Sequence, residues 1–316
     1  MNLVGLVLAR NEAWILDACL RVALRWCDHV VVVDHDSKDE TPRILDDLHR
    51  QTGRVHVLRT RDAEWNEMEH RELTLSGARA LSATHCAIID ADEILTGPTV
   101  RAIRPMVERL PERTILRVPM RALWRSMTTE RVDDCVWTRA MMPLAFRLTP
   151  DIAWRVAADG YQFHNRVPAG IPHALDSAAL DFRGAPFGCF HAQWASWPRV
   201  TAKQVWYRMV EHLRWPGRQP PEALNQMYDQ ALDEAGADVR SVPECLWDGI
   251  ASDVLGHVDL TGDPWQRGEI ERLWREHGED AFQGLDLKGL VTRKPKPPVP
   301  GNNSTREPTP SKVTFS

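Results

Sequence analysis

The chain has 316 residues, of which 43% are hydrophobic and 26% are charged, a composition typical of a folded globular protein and not of a disordered one. This length suits one large α/β domain with additions, or two smaller domains. The net charge of -5 excludes a chain-wide attraction to nucleic acid or to an anionic membrane, so such a partner would need a local basic patch.

The cysteines and the apolar runs indicate the compartment. Six cysteines are scattered without the close pairs of a zinc site, so we expect reduced thiols and a cytoplasmic protein. No run of about 18 apolar residues predicts a transmembrane segment. The apolar residues 3–9 lack a basic leader and are followed at once by polar residues, which favours a strand over a signal peptide.

The first 120 residues alternate short apolar runs with amphipathic stretches. The pattern predicts strands at 3–9, 29–33, 55–58, 86–89 and 114–118, and helices at 14–26, 41–51, 67–81 and 97–110. Strands separated by helices of this length predict an α/β fold with a parallel sheet and helices on both faces.

Three carboxylates follow the fourth strand. The apolar run Ile88-Ile89 stops at Asp90, and Asp92 and Glu93 come directly after it. The ligand crevice of an open α/β sheet lies outside the carboxyl ends of its strands, and oxygen ligands there suit Mg²⁺ or Mn²⁺ with a diphosphate. Acids so close raise one another's pKa unless a cation lies among them. The competing interpretation is a solvated loop.

Polar loops also follow strands one and two. Asn11 and Glu12 end the first strand, and Asp34 ends the Val-Val-Val run of the second, before a helix start at Thr41. Helix capping explains Thr41 and could explain Asn11-Glu12, but it does not explain Asp34 inside a strand. The three polar loops are therefore predicted to share one edge of the sheet.

These motifs resemble the nucleotide-sugar glycosyltransferases of family 2, which have the GT-A fold. The resemblance is firm over residues 1 to 120 and weaker to about 215, and two departures are Asp36, where the family often has Gly, and Lys38, where it has Thr. The matching residues are Leu6-Val7-Leu8-Ala9-Arg10-Asn11-Glu12, Val31-Val32-Val33-Asp34 with Ser37 and Asp39-Glu40-Thr41, and Ile89-Asp90-Ala91-Asp92-Glu93.

The resemblance implies a GT-A (Rossmann-like), mostly parallel sheet in a catalytic domain over residues 1–215. Short strands are predicted at 145–148 and 152–156, and helices at 221–235, 243–258 and 264–277. Residues 216–290 are expected to form a helical C-terminal extension that packs on the catalytic domain, covers the acceptor or holds a homodimer together. Residues 291–316 are rich in Pro and polar residues, which predicts a disordered tail.

The resemblance also implies a metal-dependent transfer of sugar from a nucleoside-diphosphate donor, with a UDP-sugar favoured, Mn²⁺ or Mg²⁺ as cofactor and inversion at the anomeric carbon. Asp34 would contact the base or ribose, and Asn11 and Glu12 would line the nucleotide pocket. Asp92 would bind the metal, with Asp90 supporting the ribose or the metal. A bound divalent cation neutralises the charge that develops on a leaving diphosphate.

Two more residues are candidates for the diphosphate side of the site. Arg71 is the nearest match to an arginine that the family carries before the Asp-x-Asp strand, although a helix-surface ion pair with Glu67 or Glu72 explains it equally well. His191 lies in an aromatic segment similar to one that closes the metal site in such enzymes, and a neutral imidazole can bind Mn²⁺. The competing role for His191 is a core histidine bonded to the backbone.

An inverting transfer needs a general base for the acceptor hydroxyl, and the family supplies a carboxylate from a loop beyond the Asp-x-Asp motif. Asp133, Asp134 and Asp159 are the candidates. The acceptor stays open between a glycan, a lipid carrier, a protein and a modified nucleic acid. Other hypotheses are a catalytically degenerate nucleotide- or partner-binding protein, a nucleotidyltransferase, which would usually have a Gly-rich phosphate loop, and a metal-dependent phosphohydrolase.

Overall fold

The computed structural model describes residues 1–61, 65–156, 160–161, 163, 165–176 and 187–291. The strands are β1 (Leu3–Ala9), β2 (His29–His35), β3 (Val55–Thr60), β4 (His85–Asp90), β5 (Glu93–Leu95), β6 (Thr114–Ala122), β7 (Thr129–Arg131), β8 (Met141–Arg147), β9 (His173–Asp176), β10 (Cys189–His191) and β11 (Val239–Ser241). The helices are α1 (Leu16–Ala23), α2 (Thr41–Thr52), α3 (Glu67–Ala80), α4 (Gly97–Glu108), α5 (Trp197–Arg214), α6 (Pro221–Asp229), α7 (Ala251–Val254) and α8 (Gln266–His277).

The main sheet has the strand order β3-β2-β1-β4-β8-β6-β10-β5, with β9 also paired to β6. The first four strands are parallel, as predicted, and β8 joins them antiparallel to β4 and β6. The register pairs Ala9 with Asp34 and Leu8 with Asp90. The polar loops after β1, β2 and β4 therefore leave the sheet at one edge.

The parallel strands are buried on both faces, which explains why they are continuous apolar runs. Val30 and Val32 face a core that includes side chains of α1, α2 and α4, whereas Val31 faces the opposite core with α3. Helix α3 packs so closely that a Cβ on Gly77 would lie 2.8 Å from Val31 Cγ1. The predicted arrangement of helices on both faces is confirmed.

The C-terminal residues pack on the rest of the chain in two places. Helices α5, α6 and α8 share one apolar cluster, which contains Trp206, Leu224 and Ile270. Residues 242–254 instead join the core beneath the central sheet, where Trp247 stacks on Phe190 with 4.4 Å between ring centroids. The division into 1–215 and 216–290 stays a prediction, and the predicted tail lies outside the described residues from 292 onward.

Two predicted elements differ from the structure, and short strands such as β5 were not predicted. Residues 152–156 do not form a strand, because Ala153 makes a single bridge to Ala169 and Trp154 turns inward against Phe146. The predicted helix at 243–258 is reduced to a short 3-10 turn and α7. Strand β5 was not predicted, since its three residues form a strand through pairing with β10. Among the helices in the described ranges, none is long and apolar enough to cross a membrane.

Candidate active site

The loops after β1 and β2 are bound together by the Asn11-Glu12 motif. Asn11 adopts a left-handed conformation with φ 53°, and its Oδ1 accepts a hydrogen bond from the backbone N–H of Lys38 at 2.6 Å. The backbone N–H of Asn11 donates to Ser37 Oγ at 2.9 Å, and that of Glu12 donates to Thr41 Oγ1 at 2.9 Å. The motif residues of the two loops therefore fix the shape of the sheet edge.

Asp34 closes β2 and is 2% exposed. Its Oδ1 accepts the backbone N–H of Ser37 at 3.2 Å, and its Oδ2 lies 3.7 Å from Arg59 Nε. Asp36, two residues on, has φ 49°, in the region that glycine adopts without strain, which explains why the resembling family often has Gly here. Asp36 Oδ1 also forms an ion pair with Lys38 Nζ at 2.6 Å.

Arg166 is the cation that lies among the carboxylates after β4. Its Nη1 donates to Asp90 Oδ2 at 2.7 Å and to Glu93 Oε1 at 2.6 Å, and its Nη2 also binds Glu93. Arg71 binds Glu67 at 2.9 Å and reaches Asp90 at 3.5 Å. Burial would raise the pKa of Asp90, but Arg166 and Arg71 outweigh it and hold that pKa below its ordinary value.

Asp92 has a different pair of neighbours. Lys203 Nζ lies 3.3 Å from its Oδ2, and His191 Nε2 lies 3.5 Å from its Oδ1. Burial opposes ionisation of Asp92, but Lys203 and His191 together lower its pKa well below the usual range. Nearby Glu12 behaves in the opposite way, since burial and then the charge of Asp92 raise its pKa to about 7.

These side chains open into a cavity of about 280 Å³ at the carboxyl ends of β1 and β4. A groove of about 780 Å³ runs on from it past Asn11, Asp36 and Lys38, between the loops and helix α8. Arg10, whose guanidinium lies 4.9 Å from the ring centroid of Trp265, lines both spaces. The cavity is lined by Leu8, Arg10, Glu12, Trp65, Glu67, Arg71, Asp90, Ala91, Asp92, Arg166, Lys203, Trp206, Tyr207, Trp265 and Gln266.

The residues around Asp92 fit a divalent cation that arrives with a diphosphate. Asp92 and His191 present one oxygen and one nitrogen, a donor pair suited to Mn²⁺. Among the residues that the structure describes, no group of three or more His, Cys, Asp or Glu side chains is placed to hold a metal ion. Ions such as Mg²⁺ are often held by one or two protein ligands together with substrate phosphates. Asp92 and His191 would therefore hold a divalent cation only together with phosphate oxygens.

The structure brings most of the predicted site residues together. Glu12, Arg71, Asp90 and Asp92 line the cavity, and His191 reaches Asp92 from β10. Asn11 lies on the adjoining groove. Arg71 also makes the predicted pair with Glu67, so its two interpretations are compatible.

Two of the predicted general bases, Asp133 and Asp134, are not among the described residues that line the cavity. Asp133 accepts hydrogen bonds from Arg131 at 2.6 and 2.9 Å, directly after β7, which pairs with β11. Asp134 is 81% exposed beside Arg139. Asp159 lies outside the described residues.

The lining residues that were not predicted as site residues include Arg166 and Lys203, the two cations that pair with Asp90 and Asp92. The signal for a cation was present in the close spacing of Asp90, Asp92 and Glu93, but the sequence contains 39 lysines and arginines and does not indicate which of them meets the acids.

The parallel strand order, the carboxylates after β4 and the cavity at the strand ends match the GT-A fold that the motifs predicted. Residues 6–138 match the family model described as Glycosyl transferase family 2. The match covers less than half of the chain, and it agrees with the family that the motifs resemble.

Solved structures give weaker likenesses. TarS 1-349 from S. aureus is 16% identical with a TM-score of 0.40, over 73% of this chain and 71% of that one. GalNAc-T7 with UDP, GalNAc and Mn²⁺ is 14% identical with a TM-score of 0.32, and the match covers 48% of this chain and 30% of that one. A 4-diphosphocytidyl-2C-methyl-D-erythritol synthase is 16% identical with a TM-score of 0.29, and the match covers 46% of this chain and 75% of that one. No match is found among proteins of curated function.

Proposed function

We propose that this protein transfers a sugar from a nucleoside-diphosphate donor, with UDP as the favoured nucleotide, to a hydroxyl acceptor with inversion. The observation that carries the proposal is the cavity at the ends of β1 and β4, where the partly exposed Asp90 pairs with Arg166 and the buried Asp92 pairs with Lys203. Acids with matched cations form a preorganised polar site, which is what a charged leaving group requires.

The donor is proposed to lie along the cavity and the adjoining groove. Asp34 would contact the base or ribose, Asn11 and Glu12 would line the nucleotide site, and Asp90 would support the ribose. The groove beside Asn11 has room for a nucleoside, and the smaller cavity beside Asp92 has room for a diphosphate and part of a sugar.

Mn²⁺ or Mg²⁺ is proposed to bind Asp92 and His191 together with the diphosphate. The ion would act as a Lewis acid that neutralises charge on the leaving diphosphate. Arg71 would contribute positive charge on the same side, since it lines the cavity while it holds Glu67 and Asp90.

In the proposed transfer, the acceptor oxygen forms a bond to the anomeric carbon while the bond from that carbon to the diphosphate oxygen breaks. The electron pair leaves with the nucleoside diphosphate, and the acceptor proton passes to a carboxylate. Asp133, Asp134 and Asp159 stay the predicted candidates for this base, and Asp159 lies outside the described residues. Glu67 is a further carboxylate that already lines the cavity.

The acceptor and the compartment are proposed more broadly. A glycan, a lipid carrier, a protein or a modified nucleic acid would each supply a hydroxyl, and the scattered free cysteines favour a cytoplasmic enzyme. A homodimer held by the C-terminal helices stays a prediction.

Release of nucleoside diphosphate from UDP-, GDP- and dTDP-sugars would test the proposed reaction. We expect slow donor hydrolysis with one nucleotide class, lost by at least tenfold in Asp92→Asn and retained in Asp151→Asn, because Asp92 lines the cavity whereas Asp151 is 53% exposed beside Arg113. Equal rates in both variants would contradict the proposed site.

A further inference from the structure

Lys203 differs from the other cations of the cavity in how firmly it is held. Arg166 binds Asp90 and Glu93 through both terminal nitrogens, and Arg71 is held by Glu67 on its own helix. Within the described part of the chain, the ion pair recorded for Lys203 is a single contact with Asp92 at 3.3 Å. Of the three cations that pair with carboxylates in the cavity, Lys203 is therefore the one that can change its partner at least cost.

The side chain of Lys203 has the reach and the donors for a second partner. It extends from α5 into the cavity, one helical turn before Tyr207, which lines the same cavity. An ammonium carries three N–H donors on a flexible four-carbon stem, whereas a guanidinium is a rigid fork. A phosphate group in the cavity would lie within the range of this side chain.

Lys203 also occupies the place that a metal ion would need. A divalent cation of the Mg²⁺ type binds a carboxylate oxygen at roughly 2.0 to 2.1 Å. The ammonium already lies beside Asp92 Oδ2, and His191 lies beside Oδ1. A divalent ion and the ammonium would repel each other strongly at so short a distance inside a buried site, so both cannot stay beside this oxygen.

We propose that Lys203 holds the cation position at Asp92 in the donor-free protein and moves to the donor's diphosphate when a divalent cation binds together with the nucleotide. The inference rests on the proposed function and adds a positioning role for this chain's own residue. It makes metal binding depend on the nucleotide, since the diphosphate gives the displaced ammonium a new anionic partner.

The test measures Mn²⁺ binding to the full chain by electron paramagnetic resonance, first alone and then with UDP, GDP or dTDP. Wild-type protein is expected to bind Mn²⁺ weakly alone and at least tenfold more tightly with one nucleotide. Lys203→Met is expected to bind Mn²⁺ alone at least fivefold more tightly than wild type, and to bind the Mn²⁺–nucleotide pair at least fivefold more weakly. Opposite changes in the two affinities would not result from a merely damaged site.

Two further variants keep the test independent of folding. Lys203→Arg retains the charge and should stay close to wild type for Mn²⁺ alone. Lys288→Met removes a lysine that pairs with Asp229 and Asp286 outside the cavity, and it should change neither affinity.

The failures of the two proposals are distinguishable. If a nucleotide binds with Mn²⁺ but Lys203→Met changes neither affinity, or lowers both, the inference about Lys203 is overturned and the proposed function stands. If no nucleotide binds to wild-type protein with or without metal, the proposed function fails, and the transfer of Lys203 to a diphosphate fails with it.

Discussion

The Arg166 ion pairs give the sharpest test of the site's architecture. Arg166→Met would remove the guanidinium between Asp90 and Glu93 and leave two carboxylates without this partner. The Arg166 side chain is 14% exposed and that of Glu93 is 2% exposed, so water cannot replace the lost bonds at Glu93. Breaking a buried ion pair by removing one partner costs about 3 to 5 kcal/mol of folding free energy.

A matched control is available on the same sheet. Arg117 binds Asp176 through Nε and Nη2 at 2.6 and 3.0 Å, which is also a bidentate pair, but both side chains are more than one third exposed. Arg117→Met should cost only about 0 to 1 kcal/mol, because exposed ion pairs are screened by solvent. The comparison separates burial from geometry.

Thermal unfolding followed by circular dichroism would measure the difference. We expect Arg166→Met to lower the Tm by roughly 6 to 15 °C and Arg117→Met by less than about 3 °C. Glu93→Gln in the Arg166→Met background should recover part of the loss, since it removes one unpaired charge. Equal Tm changes for the two arginine variants would refute the reasoning, and so would a double variant less stable than Arg166→Met.

Two further predictions concern Glu12 and Gly97. The pKa of Glu12 is raised to about 7 from an ordinary value near 4.5, so between these pH values the folded protein binds more protons than the unfolded chain. The contribution of Glu12 to the free energy of unfolding therefore falls as the pH rises through this interval. In urea titrations, the free energy of unfolding of Glu12→Gln should therefore rise by roughly 1 to 3 kcal/mol relative to wild type between pH 5 and pH 8. A stability difference between the two proteins that does not change with pH would contradict this. Gly97→Ala should destabilise the fold by about 1 to 3 kcal/mol, because a Cβ there would lie 2.0 Å from the carbonyl oxygen of Asp248. Gly268→Ala, where the added carbon meets no atom within 4 Å beyond the neighbouring residues and the backbone of its own helix, should be neutral or stabilising in the same urea titrations. The opposite order of stability would show that Asp248 does not pack against α4.

The parallel half of the fold could be predicted because burial on both faces leaves a simple pattern in the sequence. Strands β1, β2 and β4 are continuous apolar runs that end at polar motifs, and their predicted and observed bounds agree within two residues. β5 and β10 could not be predicted in the same way. Each has three residues and forms a strand only through partners that are distant in the chain.

Only those residues of the candidate site that lie at the ends of strands could be predicted from the sequence. Asp34, Asp90 and Asp92 are marked by their positions at strand ends, whereas the partners Arg166 and Lys203 come from later segments that the fold brings back to the cavity. The departure at Asp36 was visible in the sequence, but its meaning depends on a φ of 49°.

Calorimetry of the purified chain with UDP, GDP and dTDP, each with and without Mn²⁺, tests the central claim most directly. The Asp92→Asn variant removes the carboxylate charge between Lys203 and His191, and Asp134→Asn is a control at an exposed side chain. The account predicts that one nucleotide binds wild-type protein with Mn²⁺, keeps its affinity in Asp134→Asn and loses at least tenfold in Asp92→Asn. The absence of binding by all three nucleotides in wild-type protein, or an unchanged affinity in Asp92→Asn, would contradict it.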